Sequence, residues 1–202
     1  MKDTKTLLFN CGKELFSRKG FKDTNVSDIT KAANIGTGTF YNYYSSKEEL
    51  FMAVYLEENE KLKKKILKSM DMNQEPGSLV KELMLSNLKG MKSNPILIEW
   101  YNKDVAYKIE QYFREQNGLD RLEFMYHDLF NIIKKWQEDG KIRNDIDSRM
   151  IMAIFTAIVT VETHKEEIGL QYFPKLLDYL TEFTMKGLAA VSEVAAGRDE
   201  LK

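Results

Sequence analysis

The chain reads as all-α, with a small N-terminal domain of three helices that holds a helix-turn-helix and a larger helical domain behind it. Three observations predict this. Apolar residues recur at three- and four-residue spacing along most of the 202 positions. Breakers are sparse and fall between those segments, as three prolines and as turns such as Asn117-Gly118 and Asp139-Gly140. Finally, the stretch from Thr24 to Leu50, TNVSDITKAANIGTGTFYNYYSSKEEL, fits two short helices joined by a tight turn and followed by a capped third helix.

The first helix places Leu7, Cys11 and Leu15 on one face, and the single cysteine reads as a small core residue. Asn25 caps the second helix, with Asp28 in its first turn where the positive end of the macrodipole favours an acid; Val26, Ile29 and Ala33 form its apolar stripe. Asn34 and Gly36 both tolerate left-handed backbone, so the chain turns there before Thr37 opens a third helix. Phe40 and Tyr44 lie on the inner face of that helix, leaving Thr37, Thr39, Tyr41, Asn42 and Tyr43 to reach phosphate oxygens or base edges. Gly36 and Gly38 let backbone approach a duplex closely. Ser46 and Glu49 form a capping box, and Lys47 stands at the first turn of the next helix, where an ammonium meets phosphate. Thr24 and Asn25 join Tyr43 and Lys47 as expected backbone contacts.

These residues resemble the N-terminal domain of TetR-type (TetR/AcrR) transcriptional regulators. The resemblance runs through Phe16 with Lys19, Gly20 and Phe21; Thr24 and Asn25; Asp28 and Ile29; Ala33 to Ile35; Gly38 to Tyr44; and Lys47, Glu48 and Leu50, in order and spacing, over about the first quarter of the chain. Thr30, Asn34 and Gly36 depart from the usual Ala, Gly and small polar residue of that pattern. The resemblance implies a helix-turn-helix DNA-binding domain at residues 1–47 and a helical effector-binding and dimerisation domain at 48–202, with 46–70 as a connecting helix. It also implies a homodimeric repressor of a palindromic operator in double-stranded DNA, released by a small, largely apolar effector. The other reading is a helical ligand- or protein-binding module whose N-terminal domain no longer binds DNA.

Charge agrees with the division. Residues 1–47 carry a surplus of four positive charges, although the chain sums to minus one, so the remainder is acidic.

Beyond the reader, a helix from Ser46 is expected to continue past Met70, through the charged run Glu57 to Lys65 that reads as a solvated connector. Asn73 to Ser78 is a break. Helices are then expected over Leu79–Met91, from Pro95 to about Gln116, and over Leu119–Glu138, with Leu122, Met125, Leu129, Ile132, Ile133 and Trp136 inward. After the loop Gly140 to Asp147, two more helices are expected, Ser148 to about Lys165 and Leu170 to about Val194, followed by a polar tail from Ala195. Met150–Val161 and Leu176–Leu188 carry more apolar surface than one body needs, which suggests a two-fold four-helix interface, testable at Ile158 and Phe183.

Effector-pocket candidates are the aromatic residues Trp100, Tyr101, Tyr107, Phe124 and Phe155, with His127 and Glu162 as polar anchors; core packing is the competing explanation for each. Two histidines, without a paired Glu-x-x-His, do not make a metal site, and neither a dinucleotide fingerprint nor a nucleophile elbow occurs. The chain is therefore read as a non-enzyme with no cofactor and no metal. With no apolar segment of signal-peptide or membrane-spanning length, no membrane partner and a cytoplasmic location are expected.

Overall fold

The computed structural model describes residues 3–115 and 118–189, without the side chains at 109–110, 112–115, 118–126, 128 and 163. The polar tail from Ala195 lies outside the described residues, as does Gln116. Among the described residues ten α-helices follow in order: α1 Thr4–Lys19, α2 Val26–Ala32, α3 Thr37–Phe40, α4 Lys47–Ser69, α5 Pro76–Ser93, α6 Lys103–Glu115, α7 Gly118–Glu138, α8 Ser148–Val161, α9 Lys165–Ile168 and α10 Lys175–Leu188. Short 3-10 segments occupy Leu97–Tyr101, Glu162–His164 and Leu170–Tyr172. Among the described residues there is no strand, only an isolated bridge between Ile142 and Ala189.

The expected elements are present, and several boundaries differ for identifiable reasons. The connecting helix stops at Ser69, whose hydroxyl turns back to the Ile66 carbonyl at 2.8 Å. Pro76 begins α5, the position where a missing N–H costs nothing. The helix expected from Pro95 divides into the 3-10 segment Leu97–Tyr101 and α6. Asn102 separates the two, with extended backbone at φ −88 and ψ 109. The last expected helix begins late, because Pro174 stands between the 3-10 turn and α10.

The chain forms two compact units, the first comprising residues up to Ser69 with Leu85–Leu122, the second Met70–Met84 with the residues from Glu123 onward. In the first, Leu8, Phe16, Ile29, Phe40, Leu50 and Phe51 are almost fully buried and knit α1 to α4 together. The Phe51 ring meets Phe16 edge-on at 5.1 Å and lies 4.8 Å from Phe21, so three aromatic rings fill the bend after α1. Met91, Ile96, Leu97 and Val105 belong to this same core, which makes the segment after α5 part of the support for the N-terminal helices.

In the second unit, α8 packs on α10. Gln137 organises the loop before α8: its amide donates to the carbonyls of Arg143 at 3.0 Å and Ile146 at 2.9 Å, and accepts from the Ser148 hydroxyl at 2.6 Å. Asp147 then caps α8 by accepting from the Arg149 N–H at 2.9 Å. No helix among the described residues is long and apolar enough to cross a membrane.

Candidate nucleic-acid interface

The helix-turn-helix is built from local hydrogen bonds that the sequence encodes directly. Asn25 Oδ1 accepts from the Asp28 N–H at 2.8 Å and caps α2. The turn is made by Asn34 alone in left-handed backbone, at φ 52, while Gly36 is extended at φ −70 and precedes α3. Thr30 is buried, donates to the Ser27 carbonyl at 3.2 Å and lies 3.5 Å from the Thr37 hydroxyl, so a polar contact links α2 to α3.

The third helix is a single turn, Thr37–Phe40, continued by turn hydrogen bonds from Tyr43 N–H at 3.0 Å and Tyr44 N–H at 3.1 Å to the Phe40 carbonyl. Phe40 is fully buried and Tyr44 nearly so, which fixes the opposite surface outward. Thr37, Gly38, Tyr41 and Asn42 are exposed there, Tyr41 by 56% with its ring edge-on to Phe40. Nothing lies within 4 Å of where a Cβ on Gly38 would sit, so its surface is open. Thr39 is half-buried, and Tyr43 packs partly against the core.

Two expected contacts are turned inward. Thr24 is completely buried and its hydroxyl donates to the Gly20 carbonyl at 2.8 Å, which closes the turn between α1 and α2 and removes that hydroxyl from the duplex-facing set. Lys47 donates to the carbonyls of Phe21 at 2.8 Å and Thr24 at 2.7 Å, with its ammonium 4.2 Å from the Phe21 ring centroid. Two of its three donors are thus engaged. Burial, assisted by the nearby Lys108 ammonium, draws its pKa below the ordinary lysine value despite the opposing charge of Glu48. The capping box is also displaced: Ser46 Oγ accepts from the Glu49 N–H at 3.1 Å, but the Glu49 carboxylate takes the Ser45 N–H at 2.6 Å and its hydroxyl at 2.7 Å.

A residue outside the expected interface, Glu99, also supports it. Its carboxylate accepts from the Phe21 N–H at 2.9 Å, joining the Leu97–Tyr101 segment to the α1–α2 turn. Gly20, at φ 77, is where that carboxylate passes, and a Cβ there would stand 2.8 Å from Glu99 Oε1. Ion pairs from Lys22 to Asp104 at 2.5 Å and from Lys108 to Glu48 at 3.2 Å flank the contact. No sequence signal pairs residues 78 positions apart.

Comparison with known proteins matches this geometry. Residues 9–54 fit the family model described as bacterial regulatory proteins, tetR family. The HTH-type transcriptional regulator QacR of Staphylococcus aureus is 27% identical over 92% of this chain and 98% of its own length. Residues 9–54 are a tetR-family regulatory module. UidR of Escherichia coli K12, another HTH-type regulator, is 36% identical over 29% of this chain and 30% of its own, which confines that similarity to one segment. In fold, a TetR family regulator from Marinobacter aquaeolei VT8 matches with TM-score 0.57 at 13% identity, over 93% of this chain and 96% of that one. RolR in complex with the ligand resorcinol matches with TM-score 0.66 at 16% identity, over 98% and 95% respectively. The N-terminal module is therefore the DNA-binding domain of a TetR-family regulator.

The effector-pocket candidates fall in both units. In the first, Trp100 stacks on Tyr55 with centroids 6.1 Å apart, Trp100 and Tyr101 pack on the core, and Tyr107 is 63% exposed. In the second, Phe155 is half-buried, His127 is exposed, and Glu162 is buried with Lys165 at 3.6 Å. Phe124 lies on α7, its side chain outside the described residues. Among the described residues no three His, Cys, Asp or Glu side chains are grouped to hold a metal ion.

Proposed function

We propose that this TetR-family regulator is a homodimeric repressor that binds a palindromic operator and is released by a small, largely apolar effector. The observation carrying the DNA reading is the exposed row Thr37, Gly38, Tyr41 and Asn42 held rigidly over fully buried Phe40. A hydroxyl, amide and bare backbone surface mounted this way suits the major groove, with Asn25, Gly36, Thr39, Tyr43 and the remaining donor of Lys47 at its margins.

Two further features support the finer parts. Met150 is 57% exposed and Phe183 62%, and Tyr179 stacks on Phe183 at 5.9 Å, so the packed pair α8 and α10 presents apolar surface suited to a second copy. Ile158, by contrast, is 5% exposed in the single chain and belongs to its core, so the interface is better probed at Phe183. The contacts of Glu99, Asp104 and Lys108 with the reader give a displaced Leu97–Tyr101 segment a direct hold on the α1–α2 turn.

The test is a gel shift with the DNA upstream of the gene. Affinity should fall with salt at a log-log slope of about −0.9 per neutralised phosphate, and Tyr41→Ala should weaken binding and alter sequence preference without changing stability. Wild-type protein that binds no upstream duplex, or binds it independently of salt, would overturn the DNA reading.

A further inference from the structure

The charged run of α4 contains one lysine unlike the rest. Lys61, Lys64, Lys65 and Lys68 are exposed, and Lys61 and Lys64 pair with Glu57 and Glu60. Lys63 instead has its Nζ sealed from solvent. One turn before it, Asn59 is only 6% exposed, and its Oδ1 is sealed and accepts no hydrogen bond. A buried amide oxygen left unmatched lowers stability, so its persistence calls for a partner that comes and goes. Tyr55, one turn earlier still, stacks on Trp100.

All of these residues lie in the first unit. Along α4, Tyr55 meets Trp100 of the Leu97–Tyr101 segment, and Leu62 packs so closely on α5 that a Cβ on Gly90 would stand 2.9 Å from Leu62 Cδ2. Burial draws the Lys63 pKa down to about 7, so its charge responds to what is placed beside it.

We propose that Asn59 and Lys63, beside the Tyr55–Trp100 ring pair, form the polar end of the effector site and take an aromatic ligand carrying both a hydroxyl and a carboxylate. The hydroxyl donates to Asn59 Oδ1 and the carboxylate meets the Lys63 ammonium. Residues one turn apart on a helix have Cβ atoms about 6 Å apart, so the two substituents of a para-substituted benzene ring can each meet one of these side chains. A cationic ligand is disfavoured by Lys63, and a wholly apolar one leaves Asn59 unmatched. The inference rests on the proposed effector release and replaces its largely apolar effector with an aromatic ring that carries two polar ends.

The experiment is calorimetric titration of the full-length chain with 4-hydroxybenzoate, benzoate, phenol and benzyltrimethylammonium, repeated on Asn59→Leu and Lys63→Met. Wild type should bind 4-hydroxybenzoate at least about tenfold more tightly than benzoate or phenol. Asn59→Leu should erase the advantage over benzoate, whereas Lys63→Met should erase the advantage over phenol. This crossed pattern does not arise from a general loss of fold. Equal binding across the four probes, preference for the cation, binding unaffected by either substitution, or no binding at millimolar concentration would each overturn the site. Operator release is scored in parallel. If another compound releases the operator while these four fail, the site is wrong and effector release stands. If 4-hydroxybenzoate shows the crossed pattern but leaves operator affinity unchanged, the site stands and effector release fails.

Discussion

Replacing Lys47 with Met separates two roles that a lysine at the start of α4 can play. In the structure its ammonium donates to the carbonyls of Phe21 and Thr24 and stands over the Phe21 ring, so it pins the α1–α2 turn to the first turn of α4. A hydrogen bond from a charged donor contributes about 1.5–3 kcal/mol net. Two such bonds set an upper range of about 3–6 kcal/mol, but the lowered pKa shows that burial works against the ammonium. Methionine also keeps most of the stem packed against the ring. The expected loss is therefore about 2–3 kcal/mol, with the lower end of the hydrogen-bond range applied and part of the packing retained.

Urea denaturation followed by circular dichroism, with hydrogen exchange at the α1–α2 turn, measures the effect. The transition should move to lower urea, and turn amides should exchange faster than those of α8. Operator affinity should fall mostly through this loosening, and Lys47→Arg should restore part of both. Unchanged stability within about 0.5 kcal/mol, together with operator binding weakened uniformly across sequences and a salt slope reduced by about one, would refute the clamp and restore a pure phosphate contact.

Glu99→Ala should cost about 1–3 kcal/mol by leaving the buried Phe21 N–H without its acceptor, and Glu99→Gln, which keeps an oxygen there, should recover most of it in thermal unfolding. Lys63 titrates near 7 in the fold and about 10.4 unfolded, so between those values the unfolded chain binds more protons and stability rises with pH. Urea midpoints measured across that window should climb in wild type relative to Lys63→Met; parallel curves would contradict the burial. Phe183→Glu should leave the 222 nm circular dichroism intact while converting dimer to monomer in sedimentation and abolishing tight operator binding, since linking two half-site readers is what gives a palindrome its affinity.

Local signals were readable from the residues. Asn25 caps α2, Asn34 makes the turn, Phe40 and Tyr44 face inward and Tyr41 outward, because each follows from backbone preference or helical period within a few residues. Thr24 and Lys47 read as duplex contacts because polar residues at a helix start suit both a phosphate and a neighbouring carbonyl, and only the packed turn decides between them. Asn59 was hidden inside a run whose composition reads as solvated. Its phase nevertheless matches Tyr55, Leu62 and Ile66 at spacings of three and four, the pattern that elsewhere marked the core. Glu99 had no such signal, because nothing local records that its partner is the Phe21 amide.

The α1–α2 turn is consequently held by residues from three places in the chain. Thr24 closes it from within, Lys47 binds its carbonyls from α4, and Glu99 takes its amide from the 3-10 segment after α5. Donors satisfy the carbonyls and an acceptor satisfies the N–H, so the contacts are complementary and a substitution at one site leaves the other two in place. A reader whose recognition helix is a single turn has little rigidity of its own, since one turn cannot offset the entropy of ordering it. Its orientation must come from the scaffold beneath Phe40 and from this clamp. Because Glu99 neighbours Trp100, which stacks on Tyr55 of α4, one small displacement of the 3-10 segment alters the amide contact and the α4 packing together. Under the proposed effector release, a shift there of well under a helical turn would bias how the reader meets DNA.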